Sequence, residues 1–228
     1  TYNLLGDVMN KYKSLIIVMF FIFTFSIYKV YANVNDLPLL GRVIYLDAGH
    51  GGVDDGARSN NIVEKDVNLI LVKKLEKKLI GMGAIVYLTR DGDYDLSTTK
   101  INRKRSDLYN RAKMINESNA DIYISIHLNS TDSSKWRGLQ VFYNDINSEN
   151  VVIAKCITDI LKNNISNVRE VKKVNTYYMY KKIKIPGILI ETGFISNASD
   201  NYLLRDSNYQ DKLINNITNG IISYFNNG

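Results

Sequence analysis

The amino-acid sequence predicts a single α/β domain, with a mostly parallel central sheet and helices on both faces. Short apolar runs of strand length alternate along the chain with longer segments whose apolar residues recur at helical spacing. Strands that are separated by helices pair in parallel and need cover on both faces. The chain has 228 residues, of which 45% are apolar, so it can bury a core of this kind.

The first half of the domain is predicted to contain three strands and two helices. The first strand runs into a glycine-rich turn, and the first helix has apolar residues on one face and lysines on the other. We expect the second helix to pack through Leu108, Ala112 and Ile115. Its basic residues should face mostly outward: Arg103, Lys104, Arg105 and Arg111. In chain order the elements are strand 43–46, helix 63–80, strand 84–89, helix 99–117 and strand 121–127.

The second half continues the alternation of strands and helices. We expect strand 139–143, helix 151–163, strand 188–191 and a terminal helix over 209–225. Cys156, the only cysteine, falls in the first of these helices and reads as a small core residue. A single cysteine excludes an intramolecular disulfide and any cysteine-rich zinc site.

Residues 1–32 look like a targeting segment rather than part of the domain. Fifteen uncharged residues, 14–28, lie between Lys13 and Lys29, which is short for a membrane span. Val30 and Ala32 have the small-residue spacing of a cleavage site, so the favoured alternatives are a cleaved signal peptide and a membrane anchor, with a buried core helix as the third. Either favoured alternative places the rest of the chain outside the cytoplasm. We expect a linker at 33–41 and the functional domain at 42–228.

The net charge of +6 favours anionic partners but does not identify one. Nucleic acid fits the charge but not the expected position outside the cytoplasm, so we expect none. The turn around Gly49 lacks the Lys-Ser/Thr of a phosphate loop and the third glycine of a dinucleotide motif. Nucleotide binding therefore has little support.

Four polar residues stand where a site in an α/β sheet is expected. His50 follows the first strand, while His127 and Glu191 end two others, and these ends can meet at one edge of the sheet. Glu64 lies in the first turn of the helix that follows the His50 loop. Two imidazoles and one carboxylate form the protein ligand set of a catalytic Zn²⁺ site, with the fourth position left for water. Glu191 is the candidate to move the proton of that water.

Each of these residues also has a simpler interpretation. Glu64 follows Asn61 at the spacing of a helix-capping pair. His50 could be a turn residue and His127 a hydrogen-bonded core residue. Asp54 and Asp55 could add ligands, although aspartate beside glycine usually serves a turn. The two histidines of the chain both fall at strand ends, and this coincidence favours a functional site.

Four segments, taken in order, resemble the zinc-dependent N-acetylmuramoyl-L-alanine amidases of the amidase_3 family. They are residues 46–57, 63–69, 125–130 and 190–197, and the similarity extends over about residues 43–227. The resemblance implies a phosphorylase/hydrolase-like α/β fold, zinc ligands at His50, Glu64 and His127, and a catalytic glutamate at Glu191. It also implies that Asn129 helps to position substrate.

The same resemblance implies the substrate. Enzymes of this family hydrolyse the amide between the lactyl group of N-acetylmuramic acid and L-alanine in peptidoglycan. The short domain, with no recognisable inhibitory insert between His127 and Glu191, is most similar to the sporulation branch, which trims spore cortex outside the cytoplasm. An accessory protein could be needed for activity, and an uncleaved N-terminal segment would hold the enzyme at the membrane. The alternatives are a zinc peptidase acting on stem peptides and a non-catalytic, anchored wall-binding protein.

Overall fold

A computed structural model describes residues 12–13, 15–26, 37–59 and 62–227 of the chain. Residues 15–26 are helical, and their large apolar side chains are exposed. In the described ranges, no helix combines the length and apolar character needed to cross a membrane. The predicted cleavage site at Val30 and Ala32 and the first part of the predicted linker lie outside these ranges. In its last part, Leu39 is fully buried and donates its N–H to Met82, so the packed domain begins within residues 33–41.

The alternation of strands and helices predicted from the sequence is present in the described domain. The strands are β1 (Val43–Ala48), β2 (Arg58–Ser59), β3 (Ile62–Val63), β4 (Ile85–Leu88), β5 (Ile122–Asn129), β6 (Gln140–Tyr143), β7 (Lys172–Lys173) and β8 (Gly187–Phe194). The helices are α1 (Glu64–Gly81), α2 (Arg103–Glu117), α3 (Glu149–Asn164), α4 (Ala198–Arg205) and α5 (Ser207–Asn227).

Six of the strands form one sheet, in the order β4-β1-β5-β8-β6-β7. Strands β4, β1, β5 and β8 are parallel to one another, and β6 pairs antiparallel with β8. The predicted fold class, a mostly parallel sheet between helices, is confirmed. Because β1, β5 and β8 are neighbours and run in the same direction, their carboxyl ends lie at one edge of the sheet. This edge carries the candidate site.

The sheet separates two apolar cores. Ile44 and Leu46 of β1 face the larger core, to which α1, α3 and α5 contribute, whereas Tyr45 between them faces the smaller one. This alternation follows from the pleat of a strand, which points successive side chains to opposite faces. The smaller core contains Ala112 and Ile115 of α2. Helices therefore cover both faces, which explains why the central strands are almost continuously apolar.

Several predicted boundaries were wrong. Helix α2 begins at Arg103 rather than at residue 99, because Asn102 before it adopts a left-handed backbone conformation with φ of 55°. Strands β5 and β8 continue beyond His127 and Glu191, to Asn129 and Phe194, so these two residues lie within strands rather than at their last positions. The hairpin β2–β3, the short strand β7 and helix α4 were not predicted.

Candidate metal centre and active site

The predicted ligand residues converge at the carboxyl edge of the sheet. His50 lies in the loop after β1, Glu64 is the first residue of α1, and His127 lies near the end of β5. Glu64 Oε1 is 3.1 Å from His50 Nε2 and 3.1 Å from His127 Nδ1. One candidate ligand atom from each residue falls within 4.8 Å of the others. Ligands bound about 2.0–2.2 Å from one tetrahedral ion lie roughly 3.3–3.6 Å apart, so this set fits a metal such as zinc.

Glu64 is held as a ligand would be, and not as a helix cap. The helix begins at Glu64 itself, with Val63 at the N-cap position and no side-chain cap bond; Asn61, the proposed capping partner, lies outside the described residues. The Oε2 atom accepts the N–H of Ala57 at 2.8 Å, and Oε1 accepts that of Leu128 at 3.1 Å. Burial would raise the pKa of Glu64, but the two histidines outweigh it and keep the carboxyl ionised.

Asp54 forms an ion-pair contact with His50 from the opposite side of its ring. Its Oδ2 atom is 3.0 Å from His50 Nδ1, which leaves Nε2 facing Glu64. Burial lowers the pKa of His50, yet the hydrogen bonds and charges of Asp54 and Glu64 raise it to about 9. A bound cation would need the neutral ring, so metal uptake is coupled to proton release. Asp55 pairs instead with Arg58 and Lys65.

The glycines of the loop allow its backbone to approach the ligand side chains. A Cβ atom on Gly49 would collide with the ring of His127. A Cβ atom on Gly56, whose φ is 66°, would lie 2.5 Å from Glu64 Oε2. His50 also has a positive φ, of 63°, which is uncommon for a residue with a side chain. The glycine-rich turn therefore serves close packing around the candidate ligands.

Two buried arginines hold the backbone of this loop. Arg111 donates to the carbonyls of Ala48 at 2.7 Å and His50 at 2.6 Å. Arg90 donates to the carbonyls of Ala48 at 2.9 Å and Gly49 at 3.0 Å. Three successive carbonyls inside the protein thereby gain charged donors, and the carbonyl of Gly49 also accepts from Asn68 Nδ2 at 3.2 Å. The two guanidinium groups fix the direction in which His50 leaves the sheet.

The prediction that Arg111 faces outward was wrong. Its side chain is 1% exposed and forms ion pairs with Asp47 and Asp107, each at 2.8 Å. Burial lowers the pKa of Arg111, but these two carboxylates outweigh it and raise the pKa well above its ordinary value. The pKa of Asp47, which burial raises and Arg111 lowers, falls to about 2. A buried network of paired charges therefore lies next to the candidate metal site.

Glu191 lies beside His127 in the sheet. The two residues are register partners on the adjacent parallel strands β5 and β8, so their side chains lie on the same face. Glu191 is 9% exposed, and within the described part of the chain its buried Oε2 has no hydrogen-bond partner. Burial, together with the negative charge of Glu64, raises its pKa to about 7, although both histidines oppose the shift. This carboxyl group can thus take up and release a proton near neutral pH.

A cleft of about 270 Å³ opens over these residues. His50, His127 and Glu191 line its floor. Its walls are largely apolar and aromatic, and include Leu108, Tyr177, Tyr178 and Met179. The exposed cation among the described wall residues is Lys104. Asn129 lies at the end of β5, where its carbonyl accepts the N–H of Ile195. The substrate-positioning role of Asn129 stays a prediction.

Known proteins are similar to this chain in sequence. Residues 44–223 match the model of the family Amidase_3, N-acetylmuramoyl-L-alanine amidase. The germination-specific N-acetylmuramoyl-L-alanine amidase of Bacillus subtilis is 42% identical over 227 residues, which are 95% of this chain and 96% of that protein.

Solved structures of amidases are also similar to this chain. The CwlD amidase from Clostridioides difficile, solved in complex with the GerS lipoprotein, is 38% identical, with a TM-score of 0.78 over 82% of this chain and 100% of that one. The amidase AmiC2 of Nostoc punctiforme is 30% identical, with a TM-score of 0.71 over 81% of this chain and 97% of that one. The chain therefore belongs to the Amidase_3 family of N-acetylmuramoyl-L-alanine amidases.

Proposed function

We propose that this amidase hydrolyses the bond between the lactyl group of N-acetylmuramic acid and L-alanine in spore cortex peptidoglycan. His50, Glu64 and His127 would hold Zn²⁺, and Glu191 would be the catalytic residue that moves the proton. The observation that carries the proposal is the convergence of one carboxylate oxygen and two imidazole nitrogens beside a buried, unpartnered carboxylate oxygen. The family match specifies which amide is cut.

The protein groups provide the remaining parts of an amide hydrolysis. When bound, zinc supplies Lewis acidity, which polarises the scissile carbonyl and activates a water molecule. Glu191 Oε2 has no partner among the described residues and is placed to accept the proton of that water. The same carboxyl group then donates the proton to the nitrogen of L-alanine as the C–N bond breaks. Asp54 keeps His50 in the orientation that presents Nε2.

The relatives of this chain support the cortex assignment and the proposed surroundings of the enzyme. A germination-specific amidase matches nearly the whole chain, which supports a role in spore cortex, outside the cytoplasm. CwlD was solved together with a lipoprotein, which supports an accessory protein as partner of this chain too. Membrane attachment through residues 1–32 remains part of the proposal.

Replacing Glu64 with Gln should lower zinc affinity at least about 100-fold, since loss of even an outer-shell partner of a ligand costs 10- to 100-fold. Asp66→Asn is the matched control, because Asp66 is an exposed carboxylate in the same helical turn. Zinc per chain is measured after dialysis against a graded chelator. Full zinc occupancy in Glu64→Gln under conditions that load the control would rule out Glu64 as a ligand.

The products identify the bond that is cut. Digestion of purified cortex by the zinc-loaded chain should release intact stem peptides that begin with L-alanine and leave bare glycan, as seen by mass spectrometry. Shortened stems that remain attached to glycan would show a peptidase instead. Binding to cortex without any product would show a wall-binding protein.

A further inference from the structure

We propose that Lys104 selects substrates by binding the free α-carboxylate of the second stem residue, so that the enzyme prefers a stem with glutamate there over one with its amide. The inference rests on the proposed function and deepens it. It concerns a residue that takes no part in holding the metal or moving the proton. The observations that carry it are the position of Lys104 in the cleft, its weak pairing and the charges around it.

Lys104 reaches the cleft from the first turn of α2. Its side chain is 67% exposed, and its ion pair is with Asp54, at 3.6 Å. Charge-assisted hydrogen bonds to carboxylates are normally about 2.7–2.9 Å long. The ammonium group therefore has hydrogen-bonding capacity for a ligand that enters the cleft.

The other cations near the cleft are engaged elsewhere. Arg111 is buried and paired with Asp47 and Asp107. Arg103 pairs with Asp95 at 2.8 Å, and the guanidinium group of Arg105 lies over the ring of Tyr178 at 5.0 Å. Among the described residues that line the cleft, Lys104 is the exposed cation that remains for an anionic ligand.

The charges of the cleft favour this cation as the partner of an acidic peptide. Four carboxylates line the cleft. Asp47 and Asp107 are paired with Arg111, so without Lys104 a carboxylate of the substrate would meet mainly Asp54 and Glu191. An amide group on the substrate would meet no such repulsion and would gain less from the ammonium group. Lys104 should therefore strengthen the binding of the carboxylate form of a stem peptide more than that of the amide form.

The distances suit the second residue of the stem. Lys104 Nζ lies 3.6 Å from Asp54, which in turn contacts His50 at 3.0 Å, so the ammonium group lies within about 11 Å of an ion that His50 would bind. Two residues of an extended peptide span about 7 Å. A carboxylate on the second residue after the cut amide can thus reach Lys104.

The experiment compares N-acetylmuramoyl-L-alanyl-D-isoglutamate with its isoglutamine counterpart as substrates of the zinc-loaded full chain. The unaltered enzyme should have about a tenfold lower KM for the carboxylate form, as expected for a charged hydrogen bond that is partly exposed. Lys104→Gln should abolish this preference or reverse it, because the nearby carboxylates would remain, and Lys104→Arg should keep it. Lys113→Gln is the control, since Lys113 is an exposed lysine of the same helix.

The ratio of the two KM values distinguishes a loss of substrate selection from an indirect effect on His50. Any effect of Lys104→Gln transmitted through Asp54 to His50 would slow both substrates equally and leave the ratio unchanged, and that result would overturn the proposal. Calorimetric binding of both compounds to Glu191→Gln, with and without Lys104→Gln, tests Lys104 independently of turnover. If the unaltered chain cleaves neither compound, amide hydrolysis by the chain alone is ruled out. A carboxylate preference that is lost with Lys104 in the binding measurement would still support this inference. Equal binding of the two compounds would reject it.

Discussion

Replacing Glu191 with Gln should abolish amidase turnover and at the same time stabilise the metal-free fold. Loss of the group that moves the proton should reduce kcat by about 1,000-fold or more. Zinc occupancy should stay full, because Glu191 is not one of the three convergent ligands. The gain in stability comes from removing a buried carboxylate whose pKa is raised to about 7.

The stabilisation should depend on pH in a defined direction. Below about pH 4.5, Glu191 is protonated in both the folded and the unfolded chain, so Gln and Glu are equivalent. As the pH rises to about 7, only the unfolded chain ionises freely, and the unaltered fold loses stability relative to the variant. Above that pH the difference should reach up to about 3 kcal/mol, at about 1.4 kcal/mol per pKa unit.

Urea unfolding of the chelator-treated proteins at pH 5 and pH 8 measures this difference. Glu117→Gln is the control, because Glu117 is an exposed carboxylate that should change neither stability nor turnover appreciably. A stability difference that is the same at both pH values would contradict the assignment of a raised pKa. Undiminished kcat in Glu191→Gln would contradict its catalytic role.

Replacing Arg111 with Met should destabilise the fold by about 3–5 kcal/mol, because it leaves buried charges without their partner. Asp47 would keep only its bonds from Thr89 and Ser125, and the carbonyl of His50 would lose its donor. Zinc affinity should fall as well, since the loop that carries His50 would no longer be held. Thermal unfolding and zinc titration measure the two effects.

Two further variants test the cause of that loss. Lys113→Met changes an exposed cation two residues away on the same helix and should cost less than about 0.5 kcal/mol. Combining Arg111→Met with Asp47→Asn removes one of the stranded charges, so the double variant should be less destabilised than the sum of the single changes. A cost below about 1 kcal/mol for Arg111→Met alone would show that the buried network is not needed.

Much of the fold follows from patterns that are local in the sequence. The apolar strands that end near His50, His127 and Glu191 could be recognised one by one, and the parallel order of α/β sheets brought their ends together. Glu64 could be placed because a helix had to start close to the His50 loop. The boundaries were less predictable, because Asn102 takes a left-handed conformation that no apolar pattern reveals.

The groups that support the site were harder to predict. The charge of Arg111 predicts an outward position, although Arg111 lies three residues after Leu108 and four before Ile115, on the face that packs inward. Asp107, four residues before it, was a further signal, since a carboxylate at that spacing can neutralise a buried arginine. The contact of Asp54 with His50 depends on the course of the loop, which periodicity does not encode.

His127 and Glu191 stand on adjacent central strands, whereas His50 lies in a loop and Glu64 begins a helix. Local opening of a protein usually starts in its loops and reaches central strands only when the whole domain unfolds. The loop amides should therefore exchange hydrogen with solvent long before the amides of β5 and β8. If the enzyme lost its metal ion when the loop opened, His127 and Glu191 would stay in place on their strands. The site could then rebind metal without refolding of the domain.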